Sequence, residues 1–224
     1  MNTIVCTVNN KKHSATIEGA ESLRSLLVRL GYSSVRDSDD GEGFAGTDTV
    51  IFNDVPVYSN LMLAQMADGA VIRTAESMGD SRNLNVVQQA MIDAGVVQSA
   101  YNAPAAALLL TWLLERESNP TPEQIDQVLS GIFIRDTGYE HYYLAVKLAV
   151  EMLQTGSYKS QISPSFREEL TYIGKPKSKV DGPQLVAGEA CFVEDRVMSG
   201  YHAMVLLRSP YAHAYIKSID LKDA

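Results

Sequence analysis

The hydrophobic pattern of this chain changes its period near Leu84. Before that position, short runs alternate between apolar and polar residues, as at 3–8, and such alternation is typical of strands. Between Leu84 and Glu151, apolar residues recur every three or four positions, which indicates amphipathic helices. The sequence therefore predicts an α+β fold, in which a strand-rich part is followed by a helical part.

The strand-rich part, residues 1–80, has the element order of a β-grasp domain. Strands are predicted at 3–8 and 13–17, a helix at 21–30 that ends at Gly31, and further strands at 47–52, 55–58 and 70–74. A hairpin, a helix and then three short strands within about 80 residues suit a small sheet with one helix packed across it.

The helical part, residues 81–156, is predicted to be a four-helix bundle. One helix ends at Gly95, a second begins at Pro104, a third begins with the cap sequence T-P-E-Q at 121–124, and a fourth starts at Tyr139. The polar stretch 157–182 reads as a linker. Residues 183–224 differ in composition from both parts and are predicted to begin a third module.

Composition excludes several classes of function. The 224-residue chain has a net charge of −8 and is 46% hydrophobic, so it can form a core but lacks the basic face that nucleic acid requires. It contains no apolar run of about 18 residues that could span a membrane. The start of the chain does not have the pattern of a signal peptide, and its two cysteines are too few for a disulfide framework. We therefore expect a cytoplasmic protein.

Two segments carry a resemblance to a known family. Residues 97–104 read V-Q-S-A-Y-N-A-P, and residues 130–139 read S-G-I-F-I-R-D-T-G-Y. They resemble the second [2Fe–2S] frame of the xanthine dehydrogenase and aldehyde oxidase family, in which a C-x2-C pair follows a Gln and a C-x-C pair precedes T-G-Y. Residues 35–47, V-R-D-S-D-D-G-E-G-F-A-G-T, resemble the first cluster loop with its C-x4-C-x2-C spacing.

In this chain the cluster-ligand positions of the family hold no cysteine. They are occupied by Asp39, Phe44, Thr47 and Asn60 in the first frame and by Ser99, Asn102, Ile134 and Asp136 in the second. Clusters of this type are held by four soft thiolates. The resemblance implies a [2Fe–2S] cofactor in relatives, whereas the ligand positions predict that it is absent here.

The end of the chain resembles the opening of the family's large molybdenum-cofactor subunit, an α/β hammerhead domain. The matching segments read D-G-P-Q-L-V-A-G-E-A at 181–190 and L-R-S-P-Y-A-H-A at 207–214. Relatives continue for several hundred residues, and their catalytic groups have no counterpart here, so a fragment and a truncated gene remain open. The resemblance is greatest to hypoxanthine-oxidase-type proteins in which a cysteine-less small domain is fused to the large one.

The resemblance implies the amino-terminal part of a molybdenum hydroxylase, an oxidoreductase acting on purines or aldehydes. This chain would serve as a structural docking module, with no catalytic residue of its own and with a molybdopterin-binding domain, in the same chain or a separate subunit, as its partner. Molybdopterin is expected only in the full-length protein, where Gln98 and Asp136 are predicted to contact the pterin. The alternative is a protein-binding module without any redox or catalytic role.

The remaining motifs predict structure rather than chemistry. The G-x-G-x-x-G match at 41–46 does not lie between a strand and a helix, so we interpret it as a tight loop rather than a nucleotide site. The acidic run at Asp37, Asp39 and Asp40 lacks the spacing of a calcium loop, although a cation site there is a third hypothesis. The four histidines share no zinc spacing. Cys6 and Cys191 are predicted to be buried small apolar residues.

Overall fold

The fold is seen in a computed structural model that describes residues 2–136, 138–157, 177–196, 199–200, 202, 204–220 and 222. The chain divides into one unit that extends to Ala190 and a second that begins at Cys191. The predicted linker at 157–182 lies mostly outside the described residues, and its described end, 177–182, belongs to the first unit. In the described part of the second unit, the one regular element is a 3-10 turn at Val193–Asp195.

The first unit begins with a five-stranded mixed sheet. Its strands are β1 (Asn2–Val8), β2 (Lys11–Ile17), β3 (Thr49–Phe52), β4 (Val55–Tyr58) and β5 (Val71–Arg73). The strand order is β2-β1-β5-β3-β4, with β1 and β5 parallel and all other neighbours antiparallel. The predicted strands are therefore confirmed, and the central parallel pair brings the start of the chain beside residues 71–73.

Helix α1 (Leu23–Arg29) covers one face of this sheet. Leu23, Leu26 and Leu27 are fully buried in a core that they share with the strands. The helix begins where the Ser22 hydroxyl accepts a hydrogen bond from the Ser25 amide, and it is followed by a glycine with positive φ at position 31. The predicted helix and its end are confirmed.

Within the described residues, the helical part contains five helices around one core. They are α2 (Val86–Asp93), α3 (Ala103–Leu114), α4 (Pro122–Leu129), α5 (Tyr139–Thr155) and α6 (Gly182–Val186). The first four lie where the sequence predicted them. The arrangement differs from a four-helix bundle because α6 also takes part, with Leu185 and Val186 buried against α2 and α3.

A polar cluster joins the sheet to the helices. Arg73 and Glu115 form two hydrogen bonds of 2.7 Å, and Arg116 pairs with the Asp54 carboxylate. The Trp112 indole N–H donates to the Asp54 backbone carbonyl oxygen over 3.0 Å. The Arg116 guanidinium lies 4.1 Å from the centre of the Trp112 ring. Five side chains thus fix the orientation of α3 relative to the sheet.

Among the described helices, none has the length and apolar character needed to cross a bilayer. The cytoplasmic location remains a prediction.

Candidate functional site

The first loop, defined as residues 35–47, folds around the carboxylate of Asp39. Asp39 is 8% exposed and accepts a 2.8 Å hydrogen bond from the Ala45 amide, and the amides of Gly43 and Phe44 also point to it. Burial by itself raises the pKa of this carboxyl, but the three backbone donors outweigh burial, and the pKa lies below its ordinary value. The carboxylate therefore holds the loop closed from inside.

The acidic run of the first loop has no arrangement for a cation. The Asp37 carboxylate accepts the amides of Asp39 and Gly41 over 3.2 and 3.1 Å, and Asp40 is exposed. Within the described residues, no group of three or more histidine, cysteine or acidic side chains could hold a metal ion.

The glycines at 41, 43 and 46 all have positive φ, which confirms the interpretation of G-x-G-x-x-G as a tight loop.

The other ligand positions of the first frame have different environments. The Thr47 hydroxyl is buried and donates to the Arg36 carbonyl oxygen over 3.2 Å, whereas the Phe44 ring is 54% exposed. The Asn60 amide nitrogen Nδ2 is buried without an acceptor, and the Asn60 backbone donates to Asp48 over 2.6 Å. Burial raises the pKa of Asp48. Asp48 was not predicted from the sequence, although an acidic residue within a β-branched run is a signal for a buried polar contact.

The two frames meet through their backbones. We call residues 130–138 the second loop, of which Thr137 is not described. A Cβ atom on Gly46, which has a φ of +70°, would lie 2.1 Å from the Gly131 carbonyl oxygen, so only glycine permits this approach. The Phe133 amide donates to the Ala45 carbonyl oxygen over 3.2 Å, and the Tyr58 hydroxyl donates to Gly131 over 2.9 Å. Tyr58 was also missed, because its partner is 73 residues away.

Two ligand positions of the second frame, Asn102 and Asp136, lie near the Tyr142 hydroxyl. Asn102 is 1% exposed and donates through Nδ2 to this hydroxyl over 3.3 Å, while its Oδ1 is buried without a donor. The Oδ2 atom of Asp136 is also buried without a donor. Ser99 accepts the Tyr101 amide over 3.1 Å. The second frame is thus a polar region with two unsatisfied acceptors.

A cavity of about 260 Å³ opens beside this region, and we call it the tyrosine pocket. Burial, together with the negative charge of Asp136, raises the pKa of Tyr142 to about 12, while the hydrogen bond from Asn102 opposes this shift. The residues that line the pocket are Ile125, Asp126, Leu129, Ser130, Ile132, Ile134, Asp136, Gly138, Tyr139, Tyr142 and Tyr143. Ile134, which occupies a cluster-ligand position of the family and was predicted not to bind a metal, is part of the apolar wall.

Gln98 lies at the surface near the second loop. A Cβ atom on Gly138 would be 3.4 Å from the Gln98 Nε2 atom, and Lys179 donates to the Gln98 carbonyl oxygen over 3.0 Å. The structure brings Gln98 close to Gly138 of the second loop, and Gly138 is two residues from Asp136 in sequence.

In the first unit, His13, His141 and Cys6 lie outside the two loops. His13 is within 2.7 Å of the Tyr32 hydroxyl, at the sheet, and His141 is exposed. Cys6 is 2% exposed, which confirms the prediction of a buried residue. The same prediction for Cys191 is wrong, because this residue is exposed in a segment with little regular structure.

Comparisons with known proteins identify the family. A family model described as "[2Fe-2S] binding domain" matches residues 74–147. The chain is 37% identical over 150 residues to the nicotinate dehydrogenase small FeS subunit of Eubacterium barkeri, a match covering 66% of this chain and 95% of that protein. The chain belongs to the xanthine dehydrogenase family of iron–sulfur subunits.

Further relatives extend the similarity along the chain. The chain is 46% identical over 218 residues to the probable hypoxanthine oxidase XdhD of Escherichia coli K12, covering 97% of this chain. It spans 23% of the length of that relative. The aldehyde oxidoreductase structure from Desulfovibrio desulfuricans ATCC 27774 superposes with a TM-score of 0.75 at 23% identity, covering 87% of this chain and 22% of that one, which shows a shared fold.

The comparisons correct the predicted absence of a cofactor. The match to a [2Fe–2S]-binding domain, together with relatives named as iron–sulfur subunits, points to a [2Fe–2S] group. The prediction gave the residue types at the eight ligand positions more weight than the resemblance to a [2Fe–2S] family. The side chains found there do not fit a cluster as thiolate ligands: Asp39 and Thr47 are hydrogen-bonded within the first loop, and Phe44 has no donor atom.

Proposed function

We propose that this chain is the small module of a molybdenum-containing oxidoreductase and that it docks onto the molybdopterin-binding part through an exposed apolar patch. The patch consists of Phe44, Leu61 and Phe133, whose side chains are 54%, 61% and 76% exposed. Contiguous exposed apolar surface is a feature of protein interaction sites. This patch is the observation that carries the proposal.

The patch is one surface because the two loops pack together. Phe44 and Phe133 line the same groove. Leu61 packs against the first loop next to Phe44, because a Cβ atom on Gly43 would be 2.7 Å from the Leu61 side chain. The Phe133 amide donates a hydrogen bond to the Ala45 carbonyl oxygen, so the Phe44 and Phe133 rings lie on neighbouring backbone segments. Aromatic side chains, including phenylalanine, are enriched in protein interfaces relative to the rest of the surface.

The relatives support this assignment. The protein from Eubacterium barkeri is named as a small subunit, which implies a larger partner for that protein. The similarity to XdhD covers only 23% of its length, so most of that protein lies outside the region of similarity. An electron-transfer role is supported by the iron–sulfur family, and oxidation of purines or aldehydes is the activity we propose for the assembled enzyme.

The experiment compares two double variants of the chain for binding to the molybdopterin-binding part, measured by calorimetry. We expect Phe44→Ser with Phe133→Ser to weaken binding roughly 100-fold or more, because buried aromatic anchors contribute about 2 kcal/mol or more each. The control, Val55→Ser with Val71→Ser, removes two valines of similar exposure, 57% and 52%, from the sheet and should change affinity about twofold at most. Equal losses for both pairs would contradict the proposal.

Turnover and metal content separate this function from a protein-binding module without redox activity. The assembled wild-type protein is assayed with purines and aldehydes, and its iron and acid-labile sulfide are measured per chain. We expect substrate oxidation that is lost when the patch variant prevents assembly. Assembly without any oxidation would favour the binding module instead.

We also propose that Gln98 contacts the pterin of the molybdenum cofactor in the assembled protein. A side-chain amide offers both a donor and an acceptor to a heterocycle edge, and Gln98 is exposed beside the second loop. Gln98→Ala should lower the amount of molybdopterin retained after purification, whereas Gln89→Ala, an exposed glutamine on α2, should not. The pterin contact of Asp136 also remains a prediction, and it requires a donor that enters the tyrosine pocket.

A further inference from the structure

The tyrosine pocket has walls that suit a flat or compact organic group. Its aromatic residues are Tyr139, Tyr142 and Tyr143, and four further lining residues are aliphatic. The cavity volume is about 260 Å³, enough for a molecule larger than a few waters. Concave, mainly apolar sites with few polar groups are typical of small-molecule binding.

The polar atoms of this region are acceptors that lack donors. Asp136 lines the pocket, and its buried Oδ2 atom has no hydrogen-bond partner. Asn102, which is 1% exposed, uses Nδ2 for the Tyr142 hydroxyl and leaves Oδ1 without a partner. Asn102 is not among the residues that line the pocket, so the unsatisfied acceptor of the lining is the Oδ2 atom of Asp136. Buried polar groups in folded proteins are nearly always satisfied, so this atom indicates a donor supplied from outside the chain.

The charges around the pocket have one sign. Among the residues that line it, the carboxyl groups are those of Asp126 and Asp136, and lysine, arginine and histidine are absent from that set. The hydrogen bond between Tyr143 and Asp126, together with the nearby charges of Glu140 and Glu123, raises the pKa of Tyr143. Arg135 lines the neighbouring groove of Phe44 and Phe133. The pocket is therefore a site of negative potential.

We propose that the tyrosine pocket binds a small organic cation that carries N–H donors, such as an amidinium or a primary ammonium group. The faces of the tyrosine rings attract a cation, and the Asp136 carboxylate accepts a charge-assisted hydrogen bond from its N–H groups. The aliphatic walls contact the apolar body of the ligand. An anion is disfavoured by the two carboxylates.

The test uses three flat probes of similar shape with the full 224-residue chain. Benzamidine carries a positive charge, benzamide is neutral and benzoate is negative. By calorimetry, we expect saturable binding of benzamidine, binding of benzamide at least about tenfold weaker, and no binding of benzoate, because a charged hydrogen bond is roughly twice as strong as a neutral one. Equal binding of benzamidine and benzamide, or no binding of benzamidine, would overturn the proposal.

A matched pair of variants then locates the site. Asp136→Asn should weaken benzamidine binding about tenfold or more, whereas Asp40→Asn, which removes the same charge from the neighbouring groove, should leave it unchanged.

A second measurement does not depend on the folding of a variant. In the wild-type protein, benzamidine should shift the methyl resonances of Ile125, Ile132 and Ile134. Shifts confined to other methyl groups would refute the site.

Discussion

Replacing Gly46 by alanine tests whether the contact between the two loops holds the candidate site together. Gly46 has a φ of +70°, and its Cα lies so close to the second loop that a Cβ atom would be 2.1 Å from the Gly131 carbonyl oxygen. A carbon and an oxygen at this distance overlap strongly, so the backbone of one loop must move.

The magnitude follows from two contributions. An alanine at positive φ costs about 1 kcal/mol, after allowance for the reduced entropy of the unfolded chain. Displacing Gly131 also removes the hydrogen bonds Tyr58–Gly131 and Phe133–Ala45, each of which contributes about 1 kcal/mol. We therefore expect Gly46→Ala to lower the free energy of unfolding by about 3 kcal/mol.

The matched control is Gly69→Ala. Gly69 has a similar φ of +73°, but a Cβ atom there would meet nothing within 4 Å, so only the backbone term of about 1 kcal/mol applies. Both variants are measured by urea denaturation monitored by circular dichroism. A Gly46→Ala variant no less stable than Gly69→Ala would refute the inferred contact between the loops.

Two further perturbations test the first loop and the junction of sheet and helices. The folded-state pKa of Asp39 is lowered, so its stabilising effect is present above the unfolded pKa of about 3.9 and is lost as the pH falls through the folded value. Asp39→Asn should lower the free energy of unfolding by about 2 kcal/mol at pH 7 and flatten its dependence on pH below about 4, as urea denaturation between pH 3 and 7 will show. Trp112→Phe removes the indole hydrogen bond to Asp54 and weakens the contact with Arg116, and we expect a loss of about 1–2 kcal/mol in the same assay. An unchanged stability of Trp112→Phe would contradict the role given to that cluster.

The sequence by itself determined the local elements, because their signals lie within a few residues. Helix α4 begins with a capping box formed by the side chains of Thr121 and Gln124, which are three positions apart. The leucines at 23, 26 and 27 mark the buried face of α1. The family was predicted in the same way, from short segments whose spacing is retained. The residue types at the eight ligand positions, however, predicted that the [2Fe–2S] cofactor is absent, and the match to a [2Fe–2S]-binding domain contradicts that prediction.

Tertiary structure alone decided which of these local elements meet. Nothing near Gly46 in sequence indicates that its neighbour is Gly131, and nothing near Asp136 indicates a pocket completed by residues of α4 and α5. The inclusion of α6 in the helical core is of the same kind, since Leu185 and Val186 contact residues about 100 positions earlier. Such contacts arise when separate elements pack to bury their apolar faces, and this packing depends on the whole chain rather than on any short segment.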